Sequence, residues 1–77
     1  MHRTREALEN LLPLVSRFPR VSTIPYNLAC YACQLGDPVG AQRWLRKAMK
    51  LKDRAEIKRM ALEDRDLQPL WAQIKEL

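Results

Sequence analysis

Residues 22–51 read STIPYNLACYACQLGDPVGAQRWLRKAMKL, and two phased patterns in this stretch decide the fold. From Val39 onward, Ala41, Trp44, Leu45 and Ala48 recur at i, i+3, i+4 and i+7, with Arg43, Arg46, Lys47 and Lys50 between them. An apolar stripe opposite a basic one is what a helix packed on a core requires. Asp37 can cap the free N–H groups at its start, and Pro38 suits the first helical position because it has no N–H to leave unpaired. Upstream, Tyr26, Leu28, Ala29, Ala32 and Leu35 mark a second helical face, with Ser22 as its expected cap and Pro25 inside the tolerant first turn. Gly36 supplies the left-handed residue that commonly ends a helix. The link Gly36-Asp37-Pro38 is so short that the two helices must lie antiparallel, and residues 22–51 therefore predict a helical hairpin.

Outward from the hairpin the pattern stays helical. Residues 4–18 place Ala7, Leu8, Leu11, Leu12, Leu14 and Val15 at helical spacing, and Pro13 should bend or shorten that helix because it removes a backbone hydrogen bond. Pro19 closes the segment. After Leu51, Asp53 and Glu56 have the D-x-x-E spacing of a capping box and introduce a helix through Ile57, Met60, Ala61 and Leu62. Asp66 is the expected cap of a last helix with Pro69 in its first turn and Leu67, Leu70, Trp71, Ile74 and Leu77 along one side. The prediction is an all-α domain of about five helices with no strand.

Paired helices invite a search for a repeat. Residues 22–55 have the length of one tetratricopeptide repeat and resemble that family closely. Asn27-Leu28-Ala29 matches the family's N-L-G/A element on the first helix, Gly36-Asp37 its inter-helix turn, and Ala41, Leu45 and Ala48 its small, large, small series on the second helix. The pattern has a steric reason. Ala29, Ala41 and Ala48 lack bulk where helix axes approach to about 8–10 Å, and Leu28 and Leu45 fill the gaps beside them. One period earlier, Ala7, Leu11 and Pro19 match the small, large and closing-proline positions. The sequence departs from the family at Pro25, Ala32 and Asp53, which stand where an aromatic residue, a tyrosine and a proline are usual.

The resemblance implies antiparallel hairpins stacked as a short tetratricopeptide-like α-solenoid forming one module over residues 1–77. Residues 1–21 would be the second helix of a truncated preceding repeat, 22–55 one complete repeat, and 56–77 a capping pair anchored by Trp71. It also implies a noncatalytic function, in which the concave face receives a peptide or helix of another protein. The lining positions are Thr23, Tyr26, Asn27, Cys30, Cys33 and Gln34. In family members that grip a terminal carboxylate, an asparagine matching Asn27 acts with lysine and arginine from neighbouring repeats; none occupies the rest of this lining. Solenoids usually need about three repeats. The chain is therefore expected to be a fragment of a longer protein or to self-associate through its N-terminal helix.

Composition narrows the remaining classes. Seventy-seven residues suffice for one modest core, since a chain this short buries only about 60–65% of its extended surface. Two cysteines cannot make a disulfide framework and fit a reducing compartment, so the expected location is cytoplasmic. The apolar run Leu11-Leu12-Pro13-Leu14-Val15 is too short for a signal peptide or a membrane span. Cys30 and Cys33 have the spacing of a dithiol centre or half a zinc site, but they sit toward the negative end of a helix, which opposes a lowered thiol pKa. Zinc would need ligands beyond His2 and scattered carboxylates, and Asp66 reads as a cap, with Glu63 and Asp64 as surface residues at a turn. Neither a phosphate-binding glycine loop nor a serine with a neighbouring histidine occurs. The expectation is no enzyme, no cofactor and no metal.

The net charge of +5 is concentrated. Residues 41–60 carry eight basic and two acidic side chains, and residues 61–77 carry two basic and four acidic. Such an excess draws acidic partners without choosing among them. The alternative reading is thus a basic helical nucleic-acid-binding domain using the 43–59 cationic face, through Arg43, Arg46, Lys47, Lys50, Arg54 and Lys58. It is disfavoured because base-stacking aromatics are not interleaved with those cations: Trp44 belongs to the apolar stripe, and Tyr26 and Tyr31 lie on another helix.

Overall fold

The computed structural model describes residues 3–77, so His2, weighed above as a zinc ligand, lies outside the described residues. All regular structure among them is helical. The elements are α1 (Thr4–Leu11), α2 (Leu14–Arg17), α3 (Thr23–Gln34), α4 (Pro38–Leu51), α5 (Arg54–Leu62), a 3-10 helix (Arg65–Leu70) and α6 (Trp71–Ile74). Each expected helical segment is present, and two are divided. Pro13 separates α1 from α2, as its missing N–H requires. In the last segment Pro69 cannot donate and would crowd the carbonyl four residues back, and there the chain takes the tighter 3-10 form before relaxing into α6.

The hairpin forms as its turn chemistry dictates. Gly36 has φ +80°, the left-handed conformation that carries a steric cost for any residue with a Cβ. Asp37 N donates to Ala32 O at 2.9 Å and Gly36 N to Cys33 O at 3.1 Å. These are the paired bonds of a Schellman motif, and they satisfy the last carbonyls of α3. Asp37 Oδ1 then accepts from Gly40 N at 3.0 Å and caps α4. A Cβ on Gly40 would collide with that carboxylate, so a side chain there would cost the cap its geometry.

Ala29, Ala41 and Ala48 are wholly buried, as are Leu28 and Leu45, so the small residues lie inside as the hairpin reading demands. The α3–α4 contact is the most extensive in the molecule, and α3 also packs against α1, α2 and the 3-10 helix. Ile57 and Ala61 of α5, Leu67 and Leu70 of the 3-10 helix, and Ile74 of α6 complete the same core. Each large aliphatic side chain buried there contributes about 1.5–3 kcal/mol relative to exposure.

Three local expectations differ from the structure. Ser22 makes no side-chain cap bond to α3. Asp53 caps α5 by accepting from Ala55 N at 2.9 Å, but Glu56 turns back to Lys52 Nζ at 3.4 Å, so the reciprocal half of the capping box is replaced by an ion pair. The final segment is capped by Asp64, whose Oδ1 accepts from Asp66 N at 3.0 Å; Asp66 itself lies in the first turn.

The candidate interaction face on the central helix

At 100° per residue, the six residues expected to line a partner groove fall into two adjacent strips of α3. Tyr26, Cys30 and Cys33 form one, and Thr23, Asn27 and Gln34 the other. The structure treats them differently. The first strip is buried beneath the 3-10 helix and its approach, with exposures of 8%, 5% and 9%. In the second, Thr23 and Gln34 are exposed and Asn27 is half-buried.

Asp64 covers the first strip. Its Oδ2 accepts from Tyr26 Oη at 3.1 Å and from Cys30 Sγ at 3.7 Å, while its backbone carbonyl accepts from Trp71 Nε1 at 3.2 Å. The same indole N–H donates to Ala61 O at 2.9 Å, which ties the end of α5 to the start of α6. From its sequence neighbours Asp64 is expected on the surface at a turn. It is instead half-buried and hydrogen-bonded across 38 positions to Tyr26. No local pattern marks this role, because three acidic residues within four positions are equally eligible as caps.

Burial and the neighbouring carboxylates govern the chemistry of this strip. Burial, reinforced by the negative charge of Asp64, pushes the Cys30 thiol up to about 12. Cys33 moves the same way through burial and the charge of Asp66. The Tyr26 phenol is likewise raised, by burial first and then by Asp64. Both cysteines are unbridged and stay thiols at neutral pH, which suppresses nucleophilic and redox chemistry because the thiolate is the reactive form. One ligand atom each from Cys30, Asp64 and Asp66 lies within 4.8 Å of the others, so among the described residues these three are the ones that could hold a metal. The Asp64 carboxylate already receives hydrogens from Tyr26, Cys30 and Asp66, so the cluster is satisfied as a hydrogen-bonded clasp.

The second strip faces outward. Gln34 is engaged at one end, where Oε1 accepts from the buried Thr4 Oγ1 at 3.3 Å and fastens the start of α1 to the end of α3. Tyr31, half-buried, flanks Asn27 on the same side of the helix. This strip is polar, uncharged and carried on the element with the most neighbours. No helix is long and apolar enough to cross a membrane among the described residues. Neither a protein-family model, nor a curated protein, nor a solved structure matches the chain.

Proposed function

We propose that the chain is a noncatalytic interaction module of tetratricopeptide-like build, which holds a peptide or short helix of a partner protein along Thr23, Asn27 and Gln34. In this reading residues 22–55 are one complete repeat, 1–21 the second helix of a truncated preceding one, and 56–77 the cap. Tyr26, Cys30 and Cys33, the other half of the lining, act from behind by locking α3 to Asp64. The reducing cytoplasm is the setting in which both thiols persist.

The observation that carries this reading is the bracing of α3. Four elements pack against it, yet one polar strip remains open. A preformed surface spares the ordering cost that a flexible site must meet on binding. The Asn27 amide offers donors and an acceptor, and Gln34, whose oxygen is held by Thr4, offers its N–H donors, which suits the backbone of an extended or helical ligand.

Affinity capture with the wild-type chain and with a Thr23→Ala, Asn27→Ala double variant, which spares the Gln34–Thr4 bond, tests the assignment. Circular dichroism should show the double variant fully helical, and it should retain its captured protein at least about tenfold less well, the loss of roughly 1.4 kcal/mol expected for one or two hydrogen bonds. Equal capture by a folded double variant moves the site elsewhere. Tyr26→Phe is the matched control: it loosens the buried clasp and leaves the open strip unchanged.

A further inference from the structure

The outer face of α4 carries Arg43, Arg46, Lys47 and Lys50, all exposed, and Arg54 extends the series onto α5. The one ion pair among the described residues joins Lys52 to Glu56, so no carboxylate neutralises any of these five. Two hollows lie along the face. One, of about 350 Å³, is lined by Gly40, Arg43, Trp44 and Lys47. The other, of about 170 Å³, is lined by Arg46, Met49, Lys50 and Arg54. Each therefore combines cations with a single large apolar side chain.

Trp44 changes the weight of this face. Helical spacing alone puts it in the apolar stripe, with no aromatic interleaved among the basic residues. The structure shows the indole in both roles: half-buried against the core, it also lines the larger hollow, with Lys47 Nζ 5.8 Å from its ring centre. An aromatic ring set among unpaired cations is the arrangement on which a base can stack while phosphates are neutralised. The spacing agrees. Residues four apart on a helix are separated by about 6 Å, close to the step between neighbouring phosphates, and Arg43/Lys47 and Arg46/Lys50 both have that separation.

We propose that this face binds single-stranded nucleic acid, with one base lying on Trp44 in the larger hollow and successive phosphates running past Arg43, Lys47, Arg46, Lys50 and Arg54. The strand is single because a base can reach the indole only when unstacked from its neighbours. An acidic peptide would answer the charge equally well but has no flat ring to place on Trp44. The site is on a different helix from the Thr23–Asn27–Gln34 strip, and the two readings stand or fall separately.

Fluorescence anisotropy with a labelled oligothymidylate of about twelve nucleotides tests the proposal, since that length covers one small binding site. Four or five neutralised phosphates should make affinity fall roughly 50- to 130-fold between 50 and 200 mM salt. Arg43→Gln with Lys47→Gln should flatten that dependence, and both positions are exposed, so the fold is undisturbed. Trp44→Leu, which keeps apolar bulk against the core, should weaken binding about tenfold at either salt concentration with the dependence unchanged. The proposal is overturned if polyglutamate of matched charge competes as well as the oligonucleotide, if duplex DNA binds as tightly as the single strand, or if folded Trp44→Leu binds undiminished. Should Trp44→Leu unfold, the glutamine pair and the two competitors decide alone.

Discussion

Asp64 gathers three hydrogens on its carboxylate and a fourth on its backbone carbonyl, and the burial beneath it, with the charges of Asp64 and Asp66 added, can be read in the acidity of its neighbours. An unfolded cysteine thiol ionises near 9, and Cys30 in the folded chain does so near 12. Between those values the unfolded chain gives up a proton that the native chain keeps. The stability contributed is complete below about pH 9 and drains away as pH climbs toward 12; Cys33 and Tyr26, both raised, act with the same sign. Thermal denaturation across an alkaline series should therefore show a midpoint that falls above pH 9. In a Cys30→Ala, Cys33→Ala variant the decline should be shallower. A wild-type midpoint level to pH 11 would contradict the clasp.

The helix pair α3–α4 is held by its turn and its alanines, and the two contributions can be separated. Ala41→Leu forces a branched side chain between axes that leave no room, and should cost about 1–3 kcal/mol or more in urea denaturation. Gly36→Ala, at φ +80° with open space around it, should cost roughly 1–2 kcal/mol through backbone strain alone. An Ala41→Leu variant as stable as the parent would mean that the helices are not in close approach there. These elements were legible in the sequence because each is set locally: Asp37, Pro38 and Gly36 fix the turn, and the apolar spacing fixes the buried faces. The end of the chain was less so. Glu63, Asp64 and Asp66 compete as caps, and only Pro69 hints that the following turn will tighten. The candidate face was half legible for the same reason. Spacing puts all six lining residues on one broad side of α3, but which strip is covered depends on where the 3-10 helix lands, and Asp64 lies 38 positions beyond Tyr26. Trp44 shows a different limit, since helical periodicity assigns a residue to one face and a large indole spans two.

At the scale of the molecule, burial is uneven. Thr4 is the one fully buried residue of α1, α2 has none, and Leu12, Phe18 and Val21 are 43%, 46% and 43% exposed. The guanidinium of Arg17 lies 5.8 Å from the Phe18 ring centre and leaves much of that ring open. If the chain self-associates through its N-terminal helix, this apolar surface is the face it has to offer a second copy. Sedimentation velocity should show a coefficient that rises with concentration, and Leu12→Asp with Phe18→Asp should abolish the rise. A coefficient independent of concentration in the wild type would exclude self-association. The clasp has a further consequence, in time. Asp64 follows Cys30 by 34 positions, so on a ribosome adding about 5–20 residues per second Cys30 emerges roughly 2–7 s before the carboxylate that covers it. Until Asp64 has emerged in turn and docked, both sulfurs and the phenol lack their cover. Oxidants or alkylating agents that spare the finished protein can reach these groups on the nascent chain, so damage at Cys30 and Cys33 would record exposure during translation.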